Sequence, residues 1–241
     1  MSNKDERADG ASGVLTQVRA VTFDVGGTLI KPSPSVGHIY AEVAARNGRK
    51  KESPETLNGR FAAAWKGLKN FNHSREEWAA LVDETFGGQG EKPSETFFPE
   101  IYERFAEPEA WHVFEDVLPA FDALAAMDIN LGVVSNWDER LRPLLERLGL
   151  SKYFQAVIVS CEVAFTKPSP VIFEQAARML GEAPEHILHV GDSAAHDVAG
   201  AKSAGFQALL LERGRTDASD GVIKSLTELE GLVGTEGASG Y

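Results

Sequence analysis

Five short apolar runs, separated by longer polar stretches, are the feature that most restricts how this chain can fold. Each run is rich in Val, Ile, Leu or Phe and lacks strict alternation, and several end abruptly in small or acidic residues. Strands with this pattern are buried on both faces, as in parallel sheets covered by helices. The runs occupy residues 20–25, 130–135, 156–160, 187–190 and 207–211.

Helical patterns separate the later four runs, at residues 138–148, 171–180 and 195–204. A strand, a helix and a second parallel strand form a right-handed crossover. Repetition of this unit predicts an α/β fold, with a doubly wound parallel sheet as a Rossmann-like core.

The long segment between the first and second runs carries helix signals only. Ser53 followed by Pro54 is typical of an N-cap with proline at the first helical position. Ser74 and Glu77 have the spacing of a capping box, in which each side chain bonds the backbone of the other residue. These signals predict two helices, which begin after Ser53 and after Ser74.

Two more helices are predicted in the same segment. One spans residues 36–46 and is ended by Gly48, and the other spans 94–105, where Pro99 bends the helix or sets its start. Because the segment directly follows the first strand, we expect an inserted helical cap domain over the carboxyl edge of the sheet.

A chain of 241 residues suits a core domain with one such insertion. The polar start and the glycine-rich end of the chain are expected to be mobile. The predicted division is a mobile N-terminal extension at 1–15, a core domain at 16–30 and 115–233, a helical cap domain at 31–114, and a mobile tail at 234–241.

Composition and charge restrict the partners. Hydrophobic residues make up 43% and charged residues 25% of the chain, and the formal net charge is −12. This charge argues against nucleic acid or an anionic membrane as the main partner. Cys161 is the only cysteine, which fits a reducing compartment, and no apolar run approaches the length of a membrane span. We expect a cytoplasmic enzyme, and the sequence predicts no particular oligomeric state.

The residues directly after each run are the candidates for chemistry, because ligands of open α/β sheets bind at the carboxyl ends of the strands. Asp24 lies at the first exit, followed by Gly26 and Gly27. A carboxylate there can attack a substrate or bind a metal, and the glycines allow close approach of a ligand. Taken alone, the same residues are a good turn sequence.

The next two exits offer groups that bind anions. The Ser135 hydroxyl and the Asn136 backbone N–H, near a helix N-terminus, form an anion-binding corner. Lys167 follows the third run and can neutralise a phosphate or a group of carboxylates. Each has an ordinary alternative, as a helix cap or as a solvated lysine.

The fourth exit carries Asp192 and Asp197, five positions apart across a turn. A few carboxylate ligands completed by water suit Mg²⁺. Asp24, Ser135, Lys167 and Asp192 each follow or end a different predicted strand, so all four are expected at one edge of one sheet. Their coincidence favours a functional site over four independent turns and caps.

The ordered set Asp24-x-Gly-Gly-Thr28, Ser135, Lys167 and Gly191-Asp192-x-x-x-x-Asp197 resembles the four motifs of the haloacid dehalogenase superfamily. The resemblance covers about residues 21–205, and the inserted helical segment is similar to the superfamily's common cap. It implies a Mg²⁺-dependent, phosphatase-like hydrolase that acts on a small phosphorylated metabolite.

The resemblance also implies roles for individual residues. Asp24 would attack the phosphorus and form an aspartyl-phosphate, while Lys167 would bridge Asp24 and the phosphate. Ser135 and the backbone N–H of Asn136 would hold phosphoryl oxygens. A carboxylate nucleophile needs such positive charge because it must approach an anion.

The implied metal site uses the carboxylates of Asp24 and Asp192 and the backbone carbonyl of Gly26. Asp197 would orient the lysine or the waters around the metal, and Thr28 belongs to the first motif as a supporting residue.

Gly26 departs from the phosphatase pattern, in which a second aspartate two positions after the nucleophile acts as general acid and base. The loss of such a group typically costs ~10²–10⁴ in rate, so slow turnover is expected unless a cap residue or water replaces it. His38 is one candidate. A phosphonate hydrolase or a haloacid dehalogenase of the same fold needs no such acid, although Asp192 weakens the dehalogenase alternative.

Three further interpretations concern the cap and the cysteine. A phosphonate hydrolase would need a Schiff-base lysine, for which Lys66 and Lys69 are candidates but more simply surface residues. The aromatic residues of the cap are explained as its own core, or as the binding surface of a catalytically weak member that binds another protein. Cys161 is expected to be a small buried residue.

Overall fold

The computed structural model describes residues 15, 17–49, 51–69, 71–87, 91–217 and 219–233. Apart from residue 15, the predicted mobile segments 1–15 and 234–241 lie outside the described residues. No helix in the described part combines the length and apolar character needed to cross a membrane.

A six-stranded parallel sheet forms the centre of the protein. The strands of the described residues are β1 (Ala20–Phe23), β2 (Ile30–Pro32), β3 (Trp111–Val113), β4 (Asn130–Ser135), β5 (Phe154–Val159), β6 (Ile187–Gly191), β7 (Gln207–Leu211) and β8 (Val222–Ile223). The main sheet has the order β5-β4-β1-β6-β7-β8, while β2 and β3 form a separate antiparallel pair.

Strand β1 lies inside the sheet and is buried along its whole length. Ala20 pairs with Asn130 of β4 on one side and with Ile187 of β6 on the other. The register brings the carboxyl ends of these strands to one edge. The predicted doubly wound α/β fold is confirmed. The sequence missed β8, because two residues are too short to form a recognisable pattern.

Helices cover both faces of the main sheet. The α-helices of the described residues are α1 (Val36–Arg46), α2 (Pro54–Gly67), α3 (Arg75–Thr85), α4 (Phe98–Arg104), α5 (Val117–Ala126), α6 (Leu141–Arg147), α7 (Ser160–Val163), α8 (Pro170–Leu180), α9 (Ala199–Ser203) and α10 (Leu229–Val233). Residues of α5, α6 and α10 share one apolar core with the sheet. Residues of α8 and α9 share a second core with it. Burial on both faces explains why the strands are apolar throughout.

Two core helices differ from their predicted bounds. The pattern at 138–148 becomes helical only at Leu141, because the Asp138 carboxylate bonds the Arg140 backbone N–H at 3.1 Å and holds a turn. The pattern at 195–204 begins as a π-helical turn, Ala194–Val198, before α9. In that turn the Asp197 carboxylate accepts a hydrogen bond from the Ser193 N–H, 2.9 Å long.

Helices α1 to α4 surround an apolar core of their own, which contains Tyr40, Leu57 and Val82. The expectation of helices alone in this insertion is wrong at its two ends, where β2 and β3 pair. Ile30 lies opposite Val113, so the pair joins the chain's entry into the inserted segment to its exit. Two three-residue strands that lie far apart in the sequence leave no periodic signal in it.

The predicted caps are correct in part. Ser53 caps α2 and Pro54 is its first residue. Ser74 caps α3 by accepting a hydrogen bond from the Glu77 N–H. The predicted capping box is wrong, because the Glu77 carboxylate bonds the Asn72 backbone N–H instead of that of Ser74. The Ser74 N–H donates to the Asn72 side chain, at 2.7 Å.

Two helical glycines of this insertion differ in the space beside them, and this difference is testable. A Cβ on Gly37 of α1 would lie 2.1 Å from the Pro54 carbonyl oxygen and 2.8 Å from the Asn58 backbone nitrogen. Gly37→Ala should therefore lower the free energy of unfolding by about 1–3 kcal/mol, because backbone atoms must move. Urea denaturation measures the change.

Gly59 of α2 is the matched control, since a Cβ there meets nothing within 4 Å. Gly59→Ala should raise stability by roughly 0.5–1 kcal/mol through helix propensity. Equal effects of the two substitutions would contradict the tight contact of α1 with α2.

Candidate active site

Polar side chains that are distant in sequence meet at the carboxyl edge of the main sheet. Asp24 directly follows β1, and Ser135 is the last residue of β4. Lys167 lies in the loop between α7 and α8, and Asp192 and Asp197 follow β6. Lys167 and Ser135 both contact the Asp24 carboxylate. The structure thus brings together the residues that the strand exits predicted.

Lys167 is the centre of this site. Its ammonium group lies 2.6 Å from Asp24 Oδ1 and 2.5 Å from Asp197 Oδ1. The Ser135 hydroxyl donates to the same Asp24 oxygen, 3.0 Å away. All four residues are buried, and Lys167 is only 4% exposed. One lysine therefore serves two carboxylates, one of which is the candidate nucleophile.

Burial and pairing shift the ionisation of these groups. Burial raises the pKa of the Asp24 carboxyl, although the charge of Lys167 opposes this. Burial also disfavours ionised Asp197, but Lys167 and His189 outweigh it and lower the pKa of Asp197. For Lys167, the two carboxylates overcome the effect of burial and raise its pKa. The lysine is therefore cationic at neutral pH, and Asp24 lacks full compensation for its charge.

Asn136 holds the Lys167 backbone in place. Its side-chain oxygen accepts a hydrogen bond from the Lys167 N–H at 2.7 Å, and its side-chain nitrogen donates to the Lys167 carbonyl at 3.1 Å. The sequence predicted a role only for the backbone N–H of Asn136. Nothing local indicates this side-chain clamp, because the two residues lie 31 positions apart.

His189 lies beneath Asp197, and sequence reasoning missed it. This fully buried histidine bonds Asp197 Oδ1 through Nε2 at 3.2 Å and the Thr22 hydroxyl through Nδ1 at 2.9 Å. Burial lowers the pKa of His189, which favours the neutral imidazole. A polar residue inside an apolar strand was the available signal, since such a group needs buried partners.

A cluster of three carboxylates could hold a metal ion. Ligand atoms of Asp24, Asp192 and Asp197 all lie within 4.8 Å of one another. Partial burial of its carboxyl group, with the charges of Asp24 and Asp197, raises the pKa of Asp192 to about 7, although the residue as a whole is exposed. Gly27 makes room for this carboxylate: its φ is +83°, and a Cβ would lie 2.2 Å from Asp192 Oδ2. A cation would relieve the crowded negative charge.

The two remaining residues of the first motif lie against the rest of the site. A Cβ on Gly26 would approach the Trp137 ring to 3.2 Å, so the ring occupies the space beside this glycine. Trp137 packs in turn on Trp111, with ring centroids 5.2 Å apart. Thr28 is buried, and its hydroxyl has no hydrogen-bond partner among the described residues.

A polar contact joins the inserted helices to the loop after β4. Buried Asp138 accepts a hydrogen bond from Trp78 Nε1 of α3 at 2.8 Å. Asp138 also pairs with Arg140, whose guanidinium donates to the Tyr102 carbonyl of α4 at 2.8 Å. Sequence reasoning missed this set, hereafter the Asp138 clasp, because its members lie on different elements. It keeps the inserted helices against the site.

Other sequence candidates lie elsewhere or in a different environment. His38 is exposed and bonds its N-cap neighbour Ser35 at 2.8 Å. Lys66 and Lys69 are exposed, as expected of surface residues. The expectation that Cys161 is buried is wrong, because α7 places it on the surface after β5 ends.

Comparison with known proteins agrees with this geometry. The family model described as haloacid dehalogenase-like hydrolase matches residues 18–205. A Danio rerio protein named haloacid dehalogenase-like hydrolase domain-containing protein 3 is 33% identical, over 81% of this chain and 86% of its own length. A phosphoglycolate phosphatase from Chromobacterium violaceum is 29% identical, over 91% of this chain and 98% of its own length.

Solved structures share the architecture. A phosphatase from Thermococcus onnurineus is 27% identical with a TM-score of 0.67, over 91% of this chain and 99% of that chain. The L-2-haloacid dehalogenase from Xanthobacter autotrophicus has a TM-score of 0.69 at 22% identity, over 91% and 100%, and shares the fold. On its motifs, its sheet and the family match, the chain belongs to the haloacid dehalogenase-like hydrolases.

Proposed function

We propose that this hydrolase is a Mg²⁺-dependent phosphatase, which removes the phosphoryl group from a small phosphorylated metabolite in the cytoplasm with Asp24 as nucleophile. One observation carries the proposal: the Asp24 carboxylate is held by Lys167 and Ser135 beside two further carboxylates. This arrangement offers a nucleophile, a cation and a cluster of carboxylates that could bind a metal ion at one point.

The donor set fits Mg²⁺. Asp24 and Asp192 offer carboxylate oxygens, the Gly26 backbone offers a carbonyl, and Mg²⁺ prefers a few protein oxygens completed by water. Partial burial and the charges of Asp24 and Asp197 raise the pKa of Asp192, and Lys167 offsets this only in part. When bound, the ion would supply positive charge that offsets repulsion between Asp24 and an anionic substrate.

The side chains then have defined tasks. Asp24 attacks the phosphorus, the bond to the leaving group breaks, and an aspartyl-phosphate forms. Lys167 stabilises charge on the phosphoryl oxygens and keeps Asp24 in position. Ser135 and the Asn136 backbone N–H donate to phosphoryl oxygens. Water then hydrolyses the acyl-phosphate and regenerates the Asp24 carboxylate.

The alternatives have weaker support. A haloacid dehalogenase needs no metal ion. In this chain, Asp192 adds a carboxylate beside Asp24 and Asp197, which makes a cluster that could bind one. A phosphonate hydrolase needs a lysine that meets the substrate, and Lys66 and Lys69 are exposed. The Chromobacterium violaceum relative and the Thermococcus onnurineus structure both carry the word phosphatase in their names. A role in binding alone would leave the ordered pairing at Lys167 without a purpose.

The role of Asp24 as nucleophile can be tested by substitution. Asp24→Asn preserves size but removes the attacking charge, so hydrolysis of p-nitrophenyl phosphate with Mg²⁺ should fall to background. Beryllium fluoride, which mimics an acyl-phosphate on a carboxylate, should raise the unfolding midpoint of the wild type and not of Asp24→Asn.

The control is Asp220→Asn, which changes an exposed aspartate. It should retain both the activity and the response to beryllium fluoride. Turnover by Asp24→Asn at the wild-type rate would contradict the proposed mechanism.

The metal site can be tested by the effect of Mg²⁺ on stability. Mg²⁺ at roughly 100 times its dissociation constant should stabilise the wild type by about 2.7 kcal/mol. Asp192→Asn should abolish most of this gain, because it removes a ligand. Thermal unfolding with Mg²⁺ and with a chelator measures both effects.

The same substitution has a pH signature without metal. Because the folded pKa of Asp192 is raised to about 7, its ionisation destabilises the fold as pH rises from about 4 to 7, and fully above 7. With a chelator, Asp192→Asn should therefore gain stability relative to the wild type over this range. A wild type that ignores Mg²⁺ at every pH would overturn the metal assignment.

The absence of a side chain at Gly26 should affect the choice of substrate. Without an acid at this position, p-nitrophenyl phosphate should be hydrolysed faster than glycerol phosphate, since its leaving group needs little protonation. Gly26→Asp should bring little gain alone, because the Trp137 ring lies in the way. The double variant with Trp137→Ala should raise turnover of glycerol phosphate by up to roughly 10²-fold over Trp137→Ala alone. Equal rates of these last two variants would refute the steric account.

A further inference from the structure

His73 is a buried imidazole that the proposed mechanism leaves unused. It lies between α2 and α3, directly before the N-cap Ser74, and is only 9% exposed. Its Nδ1 is buried, and no group among the described residues lies within hydrogen-bond reach of it. A buried polar atom without a partner is uncommon, and a bound ligand or water is its usual explanation.

The imidazole lies where the inserted helices meet the core, because its ring packs against Trp78 and Trp78 donates a hydrogen bond to Asp138. The charged or titratable groups that act on it are Asp138, Lys167, Arg140 and His196, all from the core side. Phe71 and Trp78 pack edge-on against its ring, with centroids 4.7 and 5.9 Å away. Trp78 also belongs to the Asp138 clasp. His73 is therefore a residue of the inserted segment that lies beside the Asp138 clasp, within electrostatic range of Lys167.

The imidazole of His73 is in its uncharged, basic form at neutral pH. Burial lowers the pKa of His73 to about 4, with Lys167, Arg140 and His196 acting in the same direction and Asp138 opposing them. At neutral pH the ring is uncharged and can accept a proton. A bound phosphoryl group would add negative charge nearby and make the ring more basic.

The backbone of His73 has an unusual conformation. His73 has a φ of +65°, which is sparsely populated for residues with a side chain. Its two neighbours are fixed by hydrogen bonds, from the Ser74 N–H to Asn72 and from the Asn72 N–H to Glu77. Strained residues persist only where their surroundings enforce them, and they cluster at functional sites.

The core does not supply the corresponding group. Gly26 carries no side chain, and the Trp137 ring covers the space beside it. The inserted helices are then the other source of a base for the second step. His73 is buried beside the Asp138 clasp, and its Nδ1 has no hydrogen-bond partner among the described residues.

We propose that His73 accepts the proton of the attacking water when the aspartyl-phosphate is hydrolysed, an inference that rests on the proposed phosphatase function. The water oxygen bonds to phosphorus, and one water proton moves to the imidazole. The bond from phosphorus to the Asp24 oxygen breaks, and its electron pair returns to the carboxylate. The products are inorganic phosphate, ionised Asp24 and imidazolium, which releases its proton to solvent.

The test compares two histidines of the inserted helices. His73→Asn cannot accept the proton, and asparagine tolerates a positive φ, so the fold should persist. His38→Asn changes an exposed histidine and is the control. With p-nitrophenyl phosphate and Mg²⁺, His73→Asn should lower kcat roughly 10²-fold with little change in KM. His38→Asn should match the wild type.

Two further readouts separate catalysis from packing. In rapid-quench assays, His73→Asn should accumulate the phosphorylated chain, because only the second step slows. The kcat of both proteins should fall towards acid pH as Asp24 becomes protonated, and the wild type should show an additional ionisation, that of the imidazole, which His73→Asn lacks. Unchanged kcat in a folded His73→Asn would overturn the inference and leave the phosphatase proposal intact.

A measurement without turnover completes the test. Beryllium fluoride should shift the imidazole NMR signals that are missing in His73→Asn, and should not shift them in Asp24→Asn. Signals that do not move would overturn the placement of His73 beside the phosphoryl group. If the wild type hydrolyses no phosphate ester, the proposed function fails and the inference fails with it.

Discussion

The shared ion pairs of buried Lys167 are the interaction on which the rest of the site depends. A buried ammonium group must be paired, and loss of one partner typically costs about 3–5 kcal/mol. Its partners Asp24 and Asp197 follow β1 and β6, which are adjacent strands, and Asn136 after β4 holds the lysine backbone. The lysine can therefore be satisfied only when these strands are in register. Correct folding of the sheet and assembly of the site are the same event.

The balance of charge decides what such a site can do. Lys167 compensates Asp24 and Asp197, and Asp192 adds a negative charge that no described cation contacts directly. A site of this kind is poorly suited to an anionic substrate until further positive charge arrives. This is the physical reason for joining the metal and the phosphoryl group in one proposal. It also explains why the overall charge of −12 does not exclude an anionic substrate.

Because position 26 is a glycine, the core and the inserted helices supply different catalytic groups in the proposed mechanism. The core supplies the nucleophile and the cation, but Trp137 closes the space beside Gly26. The Asp138 clasp brings α3 and α4 against the same loop, and the buried imidazole of His73 comes with them. In the proposed arrangement, proton transfer depends on contact between the two parts. Chemistry and access to the site are then controlled by one interface.

The sequence by itself determined the parallel sheet, the helices that start at Ser53 and Ser74, and the edge on which Asp24, Ser135 and Lys167 lie. These features depend on local periodicity and on residues at strand ends, which a single chain displays directly. Only the tertiary structure decided the β2–β3 pair, the His189 support of Asp197, the Asp138 clasp and the burial of His73. Trp78 and Asp138, for example, lie 60 positions apart on different elements. Contacts over such distances arise from packing, for which no local pattern exists.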